Sequence, residues 1–297
     1  MHCDSLLKVN SEQGLVNDYN FSKRFPQLQF FAAFVPKKDT APEIRRKETM
    51  RLFKVYVNEI NRLGITHIDN VKSLCEATDY KKNAALFTIE GGGGLLSDSD
   101  EIFSFHKMGL RIMGLCWDDN ELACGAFTKN DEGLSHEGRK MAARMTELGI
   151  VADVSHLSDK SFWNLCDAYP LPFIATHSNF RDICNTPRNL TRDMAKEISY
   201  RGGVIGLNLY PEFLSSSGKA DENDILRHID YALENFGEYV IGCGFDIDGT
   251  CGNYPEGFSE KTSLHDKTIN LLLSNYHEST VRRIIGENVI DFLKGVL

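Results

Sequence analysis

The sequence predicts an α/β fold and, within that class, a (β/α)8 TIM barrel. Apolar, β-rich runs alternate with amphipathic stretches along the chain, giving about eight strand and helix units. Imidazoles and carboxylates stand at the C-terminal ends of five of those runs, where barrel active sites are built.

The candidate strands are residues 1–4, LQFFAAFV (28–35), AALFTIE (84–90), RIMGLCW (111–117), IVADVSH (150–156), PFIATHS (172–178), GVIGLNLY (203–210) and YVIGCGFD (239–246). Several are apolar almost throughout, as strands buried on both faces should be. Between them, Leu52, Tyr56, Ile60 and Leu63 recur at helical spacing before Gly64, and Ile225, Ile229, Ala232 and Phe236 before Gly237. Each glycine suits a left-handed C′ position. Ser135 and Thr191 are expected N-caps of two further helices. A doubly wound open sheet is the competing reading, but no G-x-G-x-x-G follows the first strand. Nothing resembling a repeat, a low-complexity segment or a linker divides the chain. Residues 1–297 are therefore read as one domain, with 251–279 as a loop-rich excursion before a closing helix.

A chain of 297 residues can bury the core of one large barrel. Its net charge of −9 and the lack of any Lys/Arg cluster argue against a nucleic-acid partner. No apolar run approaches the length needed to cross a bilayer. The first residues lack the basic and apolar regions of a signal peptide, so a cytoplasmic location is expected. The eight cysteines include no C-x-x-C pair and mostly adjoin apolar runs, which predicts neither a disulfide framework nor a cysteine zinc site.

The strand ends supply His2 and Asp4, Glu90, His156, His177 and Asp246. Within 1–4, alternation puts His2 and Asp4 on one face and Cys3 on the other. Singly, each residue has an ordinary explanation, such as a core hydrogen bond for a histidine or a turn at Gly249 for Asp246. Together at one barrel mouth they would be a costly cluster of unpaired polar groups unless a cation held them. Nitrogen and oxygen donors without thiolate suit Zn²⁺, with Mn²⁺, Co²⁺ or Fe²⁺ also compatible. The donors outnumber the needs of one tetrahedral ion, so two divalent ions are expected, with Glu90 as the natural bridge.

The runs GLSHEGRKMAARMTELGIVADVSHLS, PFIATHSNFRDICNTPRNL, GGVIGLNLYP and VIGCGFDIDG, together with HCD at the start and TIEGG at 88–92, resemble the membrane dipeptidase (renal dipeptidase) family, peptidase family M19. The resemblance extends over nearly the whole chain. It implies an amidohydrolase-type barrel, a binuclear zinc centre, hydrolysis of dipeptides and a homodimer. Carried over residue by residue, His2, Asp4 and Glu90 would bind one ion, and Glu90 would bridge to a second held by His156 and His177. Arg188 matches the arginine that receives the substrate carboxylate, and Asp246 the carboxylate that handles the proton. The chemistry is coherent in its own terms. A metal-bound hydroxide would attack the amide carbon while Asp246 takes up a proton and passes it to the leaving amine. A planar guanidinium suits a free α-carboxylate, although Arg188 could instead form a surface salt bridge.

One position departs from the family. Animal members carry a histidine after the fourth strand, whereas this chain has Trp117, whose indole donates one hydrogen bond and is otherwise apolar. Asp118 and Asn120 either contact substrate or shape a turn, and Tyr210 either borders the pocket or packs at the rim. His67, His106, His136, His228, His265 and His277 are expected to be structural or solvated. Three functions follow: a zinc dipeptidase, an amidohydrolase acting on N-acyl amino acids, lactones or other small amides, and an inactive metal-binding protein. Retention of every expected ligand weighs against the third.

Overall fold

Parallel strands that carry helices between them need two buried faces, and the apolar runs meet that requirement. A computed structural model describes residues 1–8, 25–36, 40–95, 99–259 and 264–297. Its parallel strands are β1 (Leu28–Phe34), β2 (Thr66–His67), β3 (Ala84–Glu90), β4 (Ile112–Gly114), β5 (Val151–Asp153), β6 (Ile205–Leu207) and β7 (Ile241–Cys243).

β1 pairs with β3 from Leu28 opposite Ala84 to Phe34 opposite Glu90, and β4 and β5 continue the sheet. β6 pairs with β7. Residues 1–4 and 172–178, expected as full strands, are joined by single bridges. Cys3 bridges Ile247, Ile174 bridges Asp153, and Ala175 bridges Ile205. Cys3 N also donates to Phe30 O at 3.1 Å, and Asp4 N to Ile247 O at 2.9 Å. Hydrogen bonding thus passes through 1–4, β1, β3, β4, β5, 172–178, β6 and β7 and returns to 1–4, the order of a (β/α)8 barrel. β2 lies outside this circuit, against the foot of β3 at Ala84 and Ala85.

The two strand faces feed different apolar clusters. Phe30, Leu86, Ile112, Val151, Ile174 and Val204 share one with Val289, Phe292 and Leu293 of the helix Asn288–Val296, which closes the barrel floor. Ala85, Phe87 and Ile89, from the alternate positions of β3, join the other cluster beneath the surrounding helices. Each buried Leu, Ile or Phe stabilises this arrangement by about 1.5–3 kcal/mol. Further along the strands the inner face turns polar: Thr88 and Glu90 follow Leu86, Asp153 and Ser155 follow Val151, and Thr176 follows Ile174. Buried polar groups need partners, so this upper layer is where chemistry must be sought.

Local signals placed most helix ends. The helix Pro42–Leu63 stops at Gly64, whose φ of 64° is the expected left-handed cap. Ser135 and Thr191 accept from Gly138 N and Met194 N as N-caps. The excursion 251–279 contains a helix, Leu264–Asn275, that its sequence did not announce, because Thr268 takes a buried position where an apolar residue would mark the face. The eight cysteines are free. No described helix is long and apolar enough to cross a membrane.

Candidate metal centre

Strand alternation builds the site. Cys3 lies in the outer apolar cluster, which turns His2 and Asp4 inward to meet Glu90 from the end of β3. His2 Nε2 stands 3.5 Å from Asp4 Oδ1, 3.4 Å from Glu90 Oε2 and 3.9 Å from Asp246 Oδ1. Glu90 Oε1 is 2.7 Å from His156 Nε2 and 3.3 Å from His177 Nε2. The two histidine nitrogens are themselves 2.9 Å apart. All six donors predicted at the strand ends therefore share one pocket, and all are largely removed from water.

Burial and mutual charge set the protonation of this cluster. Burial, reinforced by Glu90, raises the Asp4 pKa to about 7. Burial would also raise Glu90, but the charges of His2 and His156 outweigh it and hold Glu90 well below the usual range. Burial opposes charge on His2, yet Glu90 and Asp4 beside it push its pKa well above the ordinary imidazole value. Burial and the His2 charge depress His177.

The donor set fits divalent cations. His2 Nε2 and Asp4 Oδ1 are buried without a hydrogen-bond partner. Ligand atoms of His2, Glu90 and His177 lie within 4.8 Å of one another, as do those of His2, Asp4 and Asp246. These two groups meet at His2, whereas the family resemblance makes Glu90 the shared residue. Glu90 still lies between the histidines, one oxygen facing His2 and the other facing His156 and His177.

Arg188 is buried beside the cluster rather than salt-bridged at the surface. Its Nη1 donates to Ser178 Oγ and its Nη2 to His177 O, both at 2.9 Å, while Nε has no partner. Trp117 stands at the rim, 41% exposed, with its ring 5.1 Å from Phe34 and 6.1 Å from His156. Tyr210 packs its ring 4.9 Å from Phe213, over which the Arg188 guanidinium lies at 5.6 Å. Asn120 shapes a turn, donating to Leu115 O and accepting from Leu122 N and Ala123 N. Asp118 accepts from Asp119 N in the same loop.

Of the histidines set aside, His228 is structural, accepting from Phe180 N and pairing with Leu214 O. His277 caps the helix Glu278–Arg282. His67 lies in β2, 2.6 Å from Tyr56 OH, and His265 is the second residue of the helix Leu264–Asn275 with a buried Nδ1, so both are structural, one of the two roles expected.

Several supporting residues escaped the sequence reading. Asn208 Nδ2 donates to Asp246 Oδ2 at 3.1 Å. Asp248, expected with Asp246 only as a former of the turn at Gly249, also accepts from Ser5 Oγ and Lys8 Nζ, tying the loop after β7 to the end of the first strand segment. Asp153 and Thr176 lie beneath His177. For Asn208, Asp153 and Thr176 the one signal was a polar residue inside an otherwise apolar buried run, which must have a partner.

Comparison with known proteins identifies the family. The sequence model of the membrane dipeptidase family, peptidase family M19, matches residues 7–296. An uncharacterized protein from the pqqA 5′ region of Klebsiella pneumoniae is 31% identical over 219 residues, covering 70% of this chain and 80% of that protein. Mouse dipeptidase 3 is 24% identical over 277 residues, 90% of this chain, but the match spans only 55% of the mouse protein. Among solved structures, a metallopeptidase from Rhodobacter sphaeroides, crystallised with a phosphinate mimic of L-Ala-D-Ala, superimposes with a TM-score of 0.81 at 24% identity, covering 91% of this chain and 86% of that one. The chain belongs to the membrane dipeptidase family of metallopeptidases, family M19.

Proposed function

We propose that residues 1–297 form one metallohydrolase domain that cleaves the peptide bond of free dipeptides, with two divalent ions, most simply Zn²⁺, held by His2, Asp4, Glu90, His156 and His177. The observation that carries this reading is the convergence of six donors, two of whose buried atoms lack any hydrogen-bond partner. Such ions, when bound, acidify water and polarise a carbonyl.

The protein's own groups supply the rest. Asp246 is raised by burial above the ordinary carboxylate range, which makes it a better proton acceptor, and Asn208 fixes one of its oxygens. It takes a proton during attack and returns it to the leaving amine. Arg188 stays charged even though burial lowers it to about 10, and its unpaired Nε–H offers an edge for the substrate α-carboxylate. That contact restricts substrates to short peptides with a free C-terminus. The dipeptide mimic bound by the Rhodobacter sphaeroides relative supports this substrate class. The eight free cysteines are compatible with a reducing, cytoplasmic setting.

Trp117 favours a second reading. An apolar indole where a protonatable imidazole is expected suits an N-acyl amino acid, a lactone or another small amide. A panel of dipeptides, their C-terminal amides and N-acyl amino acids separates the two. Release of two free amino acids from dipeptides, with the amides poor substrates, is expected. Faster turnover of N-acyl amino acids would replace the dipeptidase assignment with the second.

A further inference from the structure

We propose that Asp153 is a positioning residue which, acting through Thr176, keeps the His177 proton on Nδ1 and leaves Nε2 as a bare lone pair facing the metal centre. The inference rests on the reading of His177 as a metal ligand.

Proton counting in a buried chain carries it. Asp153 Oδ1 receives Ser155 N at 3.0 Å, Ser155 Oγ at 2.6 Å and Thr176 N at 3.0 Å. Its Oδ2 receives the Thr176 hydroxyl, and on the other side Thr176 Oγ1 lies 2.7 Å from His177 Nδ1. A hydroxyl has one hydrogen. Since the Thr176 hydrogen goes to the carboxylate, its oxygen can only accept from His177, so Nδ1 carries the hydrogen. Nε2 is then an acceptor, turned toward Glu90 Oε1 at 3.3 Å and His156 Nε2 at 2.9 Å. Asp153, Thr176 and His177 are all buried, so no water competes for these bonds. The histidine is also fixed by its main chain, because His177 N donates to Ser155 Oγ at 3.1 Å. Outer partners of this kind set the tautomer and orientation of metal-bound histidines.

The network dictates what an isosteric change does. In Asp153→Asn, two backbone N–H groups still point at the Oδ1 position, so the amide oxygen must occupy it. The amide NH₂ then faces Thr176, whose hydroxyl turns to the nearer of its two remaining acceptors, His177 Nδ1 at 2.7 Å against Ser155 Oγ at 3.4 Å. The histidine proton then moves to Nε2, the nitrogen proposed to bind metal.

Two readouts test this on the 297-residue chain. With ¹⁵N-histidine labelling of the metal-free chain, His177 assigned through His177→Gln, wild-type Nε2 should resonate as an unprotonated nitrogen and move to a protonated shift in Asp153→Asn. Titrated with Zn²⁺, Asp153→Asn should lose about 10–100-fold in affinity for one ion. Asp153→Asn combined with Thr176→Val, which removes the misdirected hydroxyl, should bind more tightly than Asp153→Asn alone. An unprotonated Nε2 in Asp153→Asn, or a double variant no better than the single one, would overturn the proposal. Should Asp153→Asn fail to fold, Thr176→Val alone decides: a shift of Nε2 toward the protonated position is expected, and an unchanged shift overturns it. If the wild type binds no metal, the ligand assignment fails, while the nitrogen shifts still decide the tautomer.

Discussion

A side chain at Gly249 would meet the Asp246 carboxylate, its Cβ lying 2.2 Å from Asp246 Oδ1 and 2.7 Å from Asp4 Oδ2. The main chain bends sharply to allow this approach, with Asp246 at φ 57° and Asp248 at φ 68°, both in the left-handed region that aspartate tolerates better than most residues. Asp248 anchors the bend to Ser5 and Lys8. Gly249→Ala should leave the fold intact, because the atoms it displaces are the ends of two side chains, but those ends belong to the proposed metal ligand Asp4 and the proposed proton carrier Asp246. A fall in kcat/KM of about 10²-fold is expected, as for a displacement on the order of 1 Å at a reacting centre. Kinetics alongside the circular dichroism of the variant check this, and wild-type kcat/KM would contradict it.

Asp246 separates a working hydrolase from a shell that only binds metal. Asp246→Asn keeps the shape and tolerates the left-handed backbone, but removes the basic oxygen. Turnover should fall by about 10²–10⁴-fold while metal content changes little, since five other donors remain. Parallel assays of kcat and metal content read both effects. If Asp246 only forms the turn, both will match the wild type.

His228 predicts part of the acid sensitivity. Burial lowers its pKa from 6.5 to about 4, so between those values the unfolded chain binds a proton that the folded chain does not. Stability therefore falls as pH drops through this window, by about 3 kcal/mol in total from this group. His228→Gln can still accept from Phe180 N and donate to Leu214 O, but it cannot titrate. Urea unfolding at pH 6.5 and pH 4 should show a smaller loss for the variant, and equal losses would remove His228 from the account.

Much of this was legible in the sequence, for identifiable reasons. Both faces of the strands are buried, so the runs around Phe87 and Ile205 were visible as unbroken apolar stretches. The candidate site was visible because His2, Asp4, Glu90, His156, His177 and Asp246 all fall at strand ends. β2 was not, because two residues make no pattern. The helix Leu264–Asn275 was hidden by a buried threonine on its face. Asp153, Thr176 and Asn208 were hidden more deeply, since their roles depend on hydrogen bonds between strands that a one-dimensional pattern does not contain. Trp117 was plain as a departure, but its place beside Phe34 and its distance from His156 came only with the fold.

The central claim is that His2, Asp4, Glu90, His156 and His177 hold a pair of divalent ions. Elemental analysis of protein purified without chelators tests it most directly, in the wild type and in His156→Ala, whose Nε2 is the nitrogen closest to Glu90. The account predicts close to two ions per wild-type chain and preferential loss of one in the variant. A wild type without stoichiometric metal would contradict it.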